Sequence, residues 1–334
     1  VIIMSVASPV FSRSLVGFVK FSFNLITKTG LLIRMPVHAQ VYKIGGADLY
    51  PMTTRYNYDG IGEIEVPFIP GSSLKGRMRG LLETATKQKF YTTDEKIWSY
   101  VRSLSAMDDV DIFLDDIKSR NVISELFGWA AANYRQLIEA LRNKQKNNLP
   151  TKYNEKDIEK LFSESVAPTR LLFSDLYPSL DYVRSLRPRS VADFLEEKPE
   201  NRIDRVTSAA DPREVVRVRP GVEFSGDITL LLYDIDKGKL NEYLNTIVLG
   251  MELVEATYLG GSGSRGYGRV VFRNICVKPH KIVKTSSSEG SVFYVKPLVS
   301  SHSGETYKEL CYDDLEKLKQ AIKDLLKILE ELFV

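Results

Sequence analysis

Cysteine and histidine are scarce. Only Cys276 and Cys311, and only His38, His280 and His302, occur in 334 residues. Two cysteines far apart cannot build the disulfide framework of a small secreted domain, and a chain this long buries a core without one. Cys276 lies in an apolar strand and reads as a core residue. No histidine or cysteine sits at zinc-ligand spacing, which argues against a structural zinc site. Long hydrophobic runs are missing too: no stretch of 18 apolar residues exists, so nothing is expected to span a membrane as a helix. The apolar segment from Val1 to Val10 has no basic leading region and is interrupted by Pro9 and Arg13. It reads as an ordinary N-terminal segment, not a signal peptide, and the expected compartment is the cytoplasm. A strong charge of one sign is also absent. Lys and Arg number 46 against 43 Asp and Glu, a net charge of +3. That balance argues against holding a polyanion by bulk charge and leaves a local basic stripe possible.

What is present is an ordinary globular composition, 43% hydrophobic and 27% charged. The length allows about two domains, or one domain with large insertions. Residues 15–28 alternate, with Val19, Phe21, Phe23 and Leu25 on one side and Lys20, Ser22 and Asn24 on the other, which predicts a half-buried strand. Residues 29–70 read as a long irregular loop. A helix follows over 72–88, with Ser72 or Ser73 as N-cap and Leu74, Met78, Leu81, Leu82 and Ala85 as its apolar face. Residues 90–165 carry helical spacing (Ile97, Val101, Leu104; Leu137, Leu141) and a polar loop near 143–156. Strand character returns at 170–175, 222–234 and 269–277, and 238–256 reads as an amphipathic helix. Leu315, Leu318, Ile322, Leu325, Leu329 and Leu332 form the seam of a C-terminal helix, expected to pack on its own domain.

Two motifs carry the chemistry. Gly260-Gly-Ser-Gly-Ser-Arg-Gly-Tyr-Gly-Arg269 contains a G-x-G-x-x-G, but a helix leads in and a strand leads out, the reverse of a dinucleotide site. Such a loop still exposes backbone N–H groups, and with Arg265 and Arg269 its expected ligand is phosphate; a plain tight turn is the alternative. The run from Arg265 to Phe272 nearly fits an RNA-recognition strand, with Arg269 where the stacking aromatic residue would be. The second motif, Pro70-Gly-Ser-Ser-Leu-Lys-Gly76, lacks the spacing of a nucleotide-hydrolysing phosphate loop. It does place a helix N-terminus beside Lys75, Arg77 and Arg79, which suits a phosphodiester backbone; a solvated basic helix face is the alternative. The preceding loop holds Asp48, Asp59, Glu63 and Glu65, carboxylates able to hold a divalent metal or to position a hydroxyl.

Taken together, the sequence resembles the RAMP superfamily of CRISPR systems, and within it the repeated Csm-type backbone subunit of type III effector complexes, III-A or III-D. The resemblance rests on Phe68–Arg79, Leu126–Gly128, Asn201–Arg213 and Tyr258–Arg269, in the family order. It implies an α+β fold: a modified ferredoxin-like (RNA-recognition-motif-like) core over 1–89 and 166–278, with a thumb within about 181–220. A helical insertion over 90–165 and an extension over 279–334 with a C-terminal helix lie outside the match.

The resemblance implies a role in antiviral defence. Its partners would be a guide CRISPR RNA, a target RNA, further copies of the chain and other effector subunits, with no membrane. Guide phosphates would meet Ser72, Ser73, Lys75, Arg77, Arg79, Gly261, Ser262, Gly263, Ser264, Arg265 and Arg269. The thumb would carry Arg202, Arg205, Thr207, Arg213, Arg217 and Arg219. Metal-dependent endoribonuclease activity would use Asp48 as catalyst and metal ligand, with magnesium or manganese. The loop from Asp48 to Pro70 is longer than the family pattern, and Gly30-Leu-Leu-Ile-Arg34 lacks the family's His and second Gly, so Asp59 is the runner-up. The alternatives are the same subunit without cleavage, a guide-processing endoribonuclease using a histidine such as His38, and an RNA-binding module outside CRISPR. The +3 also divides unevenly. Residues 90–165 hold 11 Lys and Arg against 13 Asp and Glu, and 279–334 hold 8 against 9, leaving the rest at +6.

Overall fold

The structure, a computed structural model, describes residues 13–36, 49–90, 110–118, 121–128, 134–165, 168–287, 290–298 and 310–334. The alternating segment forms β1 (Leu15–Thr27), with Val19, Phe21, Phe23 and Leu25 buried. Within the expected irregular loop, Thr53–Tyr58 (β2) and Gly62–Pro67 (β3) instead pair as a hairpin around the turn at Asp59-Gly60. Its aromatic residues seat it: Tyr56 stacks on Tyr177 at 4.0 Å, and Tyr58 donates to the Pro178 carbonyl.

The basic motif opens α1 (Gly71–Ala85). Neither Ser72 nor Ser73 caps it. The N-cap is Pro70, and the Gly71 N–H donates to Asp175 Oδ1 at 2.7 Å, so the cap comes from a residue distant in sequence. Leu74, Met78 and Leu82 are buried, while Leu81 is half-buried and Ala85 exposed.

The inserted region contains α2 (Val110–Lys118), α3 (Val122–Phe127), α4 (Tyr134–Lys146) and α5 (Glu155–Ser165). Ile97, Val101 and Leu104 lie outside the described residues. Leu137 and Leu141 join α2 and α5 in a core of their own, whereas Ile123, Leu126 and Phe127 of α3 belong to the main core. Beyond it come β4 (Leu171–Phe173), β5 (Tyr177–Pro178) and α6 (Leu180–Leu186), then β6 (Leu195–Ile203) and β7 (Ala210–Val218), paired as a hairpin of their own. β8 (Glu223–Tyr233), α7 (Leu240–Ala256) and β9 (Val270–Ser287) complete the core. β9 runs ten residues past its expected end and turns back as β10 (Gly290–Pro297). β11 (Leu310–Tyr312) and α8 (Leu315–Glu330) follow.

The central sheet has the order β10-β9-β1-β8-β4, all antiparallel, with β11 on β9 and β5 on β8. Strands β9, β1, β8 and β4, with α1 and α7 in the connections, reproduce the ferredoxin-like arrangement, so the mixed α+β class is as expected. Helices α1, α7 and α8 cover one face. All six seam residues of the C-terminal segment are buried in this same core, so that helix packs on its own domain. Cys276 is not a core residue: it lies half-buried on the opposite face and is bonded to Cys311, which fastens β11 to β9.

A buried polar knot ties the layers. Arg170 is 1% exposed and Asp236 0%. The Arg170 guanidinium donates to Asp236 through Nε and Nη2 and to the Glu125 carbonyl through Nη1. Tyr243 of α7 donates to both Glu125 Oε2 and Asp236 Oδ1. Burial alone would raise the Glu125 carboxyl, but hydrogen bonds from Lys239 and Tyr243 and the nearby Arg170 charge hold it below the usual range. Removing one member of a buried pair strands the other without solvent. Asp236→Ala should therefore lower unfolding stability by about 3–5 kcal/mol and Tyr243→Phe by about 1–2 kcal/mol. Denaturant titration of the two variants checks both the size of the effect and its order.

Candidate nucleic-acid interface

The two sequence motifs meet through one side chain. Arg77 of α1 donates from Nε to the Tyr258 carbonyl at 2.9 Å, and its guanidinium lies 3.9 Å from the centre of the Tyr258 ring. Tyr258 begins the glycine-rich loop. Gly263 is required beneath that ring, because a Cβ there would sit 2.1 Å from it. The loop folds onto the strand-to-loop junction after β1: Gly261 N–H donates to Leu32 O, Gly268 N–H to Gly30 O, and Arg269 N–H to Thr29 Oγ1. Ser262 is half-buried, and Ser264, Arg265, Gly266 and Arg269 are exposed. This loop is the helix-to-strand connection expected, with its polar rim turned outward.

The exposed face of α1 carries Ser72, Gly76 and Gly80, with Ser73, Lys75 and Arg79 half-buried beside them. An added Cβ at Gly76 or Gly80 would meet nothing within 4 Å. Two glycines inside an exposed helix cost about 1 kcal/mol each relative to alanine. They leave a smooth floor with room for another backbone to approach closely. Arg79 is held by Glu83 at 2.7 Å within the helix. Lys75 makes no ion pair among the described residues, and burial together with the Arg79 charge lowers its pKa, a penalty that a bound phosphate would relieve.

The β6–β7 hairpin divides the expected thumb residues. Arg202, Arg205 and Thr207 lie in its exposed outer half, where Asp204 accepts from the Val206 and Thr207 amides and from Thr207 Oγ1 to shape the tip. Arg202 pairs with Asp211 at 3.0 Å, and Arg213 is half-buried on the returning strand. Arg217 and Arg219 belong to the base instead. Arg217 pairs with Glu196 and lies 4.4 Å from the Tyr267 ring centre, and Arg219 donates to Tyr182.

That base is fastened to the glycine-rich loop by residues that no motif singles out. Glu200 accepts from Tyr267 Oη at 2.7 Å and from Arg265 at 3.3 Å, and Lys198 lies 4.3 Å from the Tyr267 ring centre. Burial, reinforced by the Glu200 hydrogen bond, pushes the Tyr267 hydroxyl up to about 12. The same hydrogen bond, with the Arg265 and Lys198 charges, holds the Glu200 carboxyl below its usual range. The Gly-Tyr-Gly spacing could have marked Tyr267 as a packed ring within a loop of small residues; nothing local marks Glu200.

Asp48 lies outside the described residues, as does His38. Leu49, which follows Asp48 in sequence, is anchored: its carbonyl accepts from Val216 N–H, and it packs with Leu32, Val215 and Tyr267 at the hairpin base. Asp59 occupies the exposed turn of the β2–β3 hairpin. Among the described residues, no group of three or more His, Cys, Asp or Glu could hold a metal ion. No described helix is long and apolar enough to cross a membrane.

Residues 61–271, which span both motifs and the hairpin, match the RAMP superfamily. The chain belongs to the RAMP superfamily. It is 31% identical over 260 residues to the CRISPR system Cms endoribonuclease Csm3 of Streptococcus thermophilus, covering 77% of this chain and 88% of that protein. It is 30% identical over 282 residues to the protein of the same name from Methanothermobacter thermautotrophicus, covering 79% and 89%. The crystal structure of Methanopyrus kandleri Csm3 aligns over 94% of this chain and 98% of that chain, at 17% identity and a TM-score of 0.47. The RAMP match ends at residue 271, so β10 and α8 lie beyond it.

Two outcomes follow from this RAMP surface. Gly76→Ala should stabilise the fold by about 0.5–1 kcal/mol, because the methyl enters open space in a helix interior, yet weaken RNA binding. Thermal unfolding and a binding titration on one preparation separate the two effects. For Glu200, the depressed folded pKa means that its stabilising contribution is present above the ordinary carboxylate range, about pH 4.3, and is lost as pH falls through the folded value. The stability gap between the native chain and Glu200→Gln should therefore be constant near neutral pH and close on acidification.

Proposed function

We propose that this RAMP chain is the repeated guide-RNA-binding backbone subunit of a type III CRISPR effector complex, and that within the complex it cleaves RNA complementary to the guide. The observation that carries the reading is the Arg77 bridge, which makes the start of α1 and the glycine-rich loop one surface. Backbone amides, Ser72, Ser73, Ser264 and the cations Lys75, Arg265 and Arg269 line it, a composition suited to phosphates rather than to base edges. Arg77 contributes by fixing the loop and Arg79 by its charge behind the surface. Sequence selection then comes from guide–target pairing, as in other RNA-guided systems. The names of the relatives above support the endoribonuclease part of this reading. Copies of the chain, other effector subunits, the guide and the target are its partners, and the cytoplasm is its compartment.

The β6–β7 hairpin is the thumb. Its base is locked by Glu200, Tyr267 and Arg217, and its exposed tip carries Arg202, Arg205 and Thr207. Inserted between guide and target, such a wedge displaces a target nucleotide and splays the backbone. The adjacent ribose 2′-OH then swings in line with its own phosphate and attacks it, and the 5′-oxygen leaves. Asp48, next to the anchored Leu49, orients that hydroxyl and takes its proton. A divalent cation, magnesium or manganese, is proposed at Asp48, where it would stabilise developing charge.

Asp48→Ala in the assembled complex should abolish regularly spaced cleavage of complementary RNA while leaving target binding intact. Surviving cleavage would remove Asp48, and a natively non-cleaving complex would leave the backbone role alone. Lys75→Ala with Arg77→Ala should weaken guide binding equally across sequences. It should also flatten the salt slope by about 0.7 for each phosphate no longer neutralised, as measured by titration at several salt concentrations.

A further inference from the structure

The face of the central sheet opposite the helices ends in a feature the guide-holding surface does not use. β9 pairs with β1 only as far as Lys281, and from Ile282 to Ser287 it pairs with β10 alone. The hairpin therefore stands clear of the sheet. Val292, Phe293, Tyr294 and Val295 are all exposed, Phe293 by 64%. A row of exposed apolar residues on an edge strand invites self-association unless charge opposes it. Here the charge is mainly positive: Lys278 and Lys284 share one side of the hairpin with His280, while Lys281 and Lys296 pair on the other, where Lys281 donates to the Glu331 carbonyl. The acidic residue of the segment, Glu289, lies outside the described residues.

Register sorts these groups by face. Side chains alternate along a strand, and directly paired residues share a side. Phe18 pairs with His280 and Phe293 with Lys284. His280, Ile282 and Lys284 alternate along β9, so the Phe18–His280 pair, Lys284 and Phe293 all lie on the open face. The Phe18 and His280 rings stack with centres 4.6 Å apart, and Lys284 Nζ lies 5.8 Å from the centre of the Phe293 ring. The two aromatic stations thus sit four β9 positions apart, about 13 Å at the usual rise. The carboxylates of this face, Asp227 and Glu223, lie on β8, on the far side of β1, and are engaged by Lys20 and by Asn24 and Ser179.

We propose that this face, from the Phe18–His280 stack out to Phe293 and Lys284, binds single-stranded RNA. Bases stack on the aromatic rings, and Lys278 and Lys284 follow the phosphates. Charge complementarity selects this occupant, because a hairpin that is predominantly cationic and tipped with rings matches a polyanion carrying planar bases. The surface is separate from α1 and the glycine-rich loop, and its outer strand lies past the residues that match the superfamily.

The test uses the full chain and a labelled 15-nucleotide oligouridylate, in the native background and with Lys75→Ala/Arg77→Ala. His280→Ala/Phe293→Ala should lower affinity about tenfold in both backgrounds, and Phe293→Tyr should retain it. Lys284→Ala should flatten the salt slope. If Lys75→Ala/Arg77→Ala changes nothing while the hairpin variants do, the guide-surface reading fails and this proposal stands. In the guide- and target-bound assembly, 4-thiouridine placed in either strand should cross-link to residues 278–298, and the strand that does so identifies the RNA. Affinity unchanged by His280→Ala/Phe293→Ala in the Lys75→Ala/Arg77→Ala background would overturn the proposal. So would a shift in self-association with no change in RNA affinity, which would make the hairpin a contact between copies.

Discussion

A guanidinium without access to solvent must find its partners inside the protein, and Arg170 thereby fixes the position of much else. Its bonds to Asp236 and to the Glu125 carbonyl, with Tyr243 bridging both carboxylates, hold α3, β4, α7 and the end of β8 in one arrangement. A shift of β4 along β8 would leave a charge unpaired in the core, at a cost of several kcal/mol. The consequence reaches the proposed RNA-facing side. β4 leads directly to Asp175, which caps α1 at Gly71, and to Leu176, which exchanges backbone hydrogen bonds with Ile69. The start of α1, and with it Ser72, Ser73 and Lys75, is thus placed by a buried ion pair through β4 and the residues that follow it.

The proposed phosphate-facing surface works under a different constraint, the repulsion among its own cations. Two of them, and two arginines of the neighbouring hairpin, come with a carboxylate: Arg79 with Glu83 and Arg265 with Glu200, Arg217 with Glu196 and Arg202 with Asp211. That pairing explains how a net charge of only +3 coexists with a basic surface. Exposed pairs of this kind contribute little to stability, but they orient the side chains before a ligand arrives. An incoming phosphate competes with Glu200 for Arg265 without leaving the carboxylate unpaired, since the Tyr267 hydroxyl still donates to it. The hairpin and the glycine-rich loop therefore share one set of contacts.

How much of this was legible depended on whether the cause was local. The β1 alternation, the apolar faces of α1 and α7, and the C-terminal seam are periodic signals, and each produced the element it implied. The β2–β3 hairpin was hidden because its stabilisation is tertiary: Tyr56 and Tyr58 are seated by Tyr177 and Pro178, more than a hundred residues later. The same holds at the site. Lys75, Arg265 and the glycines announced themselves through motif spacing. Glu200, whose chemistry depends on Tyr267 and Arg265, had no local mark. Serine as the expected cap of α1 failed for the same reason, since Asp175 supplies the acceptor from another strand. Cys276 read as core from its apolar neighbours, yet the strand alternates and it falls on the outward side, within reach of Cys311.

The segment beyond the superfamily match divides into two parts that obey opposite rules. α8 buries Leu315, Leu318, Ile322, Leu325 and Leu329 in the same core as α7, so it completes the helical layer and needs no partner. The β9–β10 tip does the reverse: it buries almost nothing, leaves Phe293 and Tyr294 in solvent and is predominantly basic. A chain selected only for stability would shorten such a hairpin or blunt its edge. Its projection past the end of β1, on the open face of a fold whose opposite face is fully covered, is the arrangement expected of a contact surface whose ligand is not part of the chain.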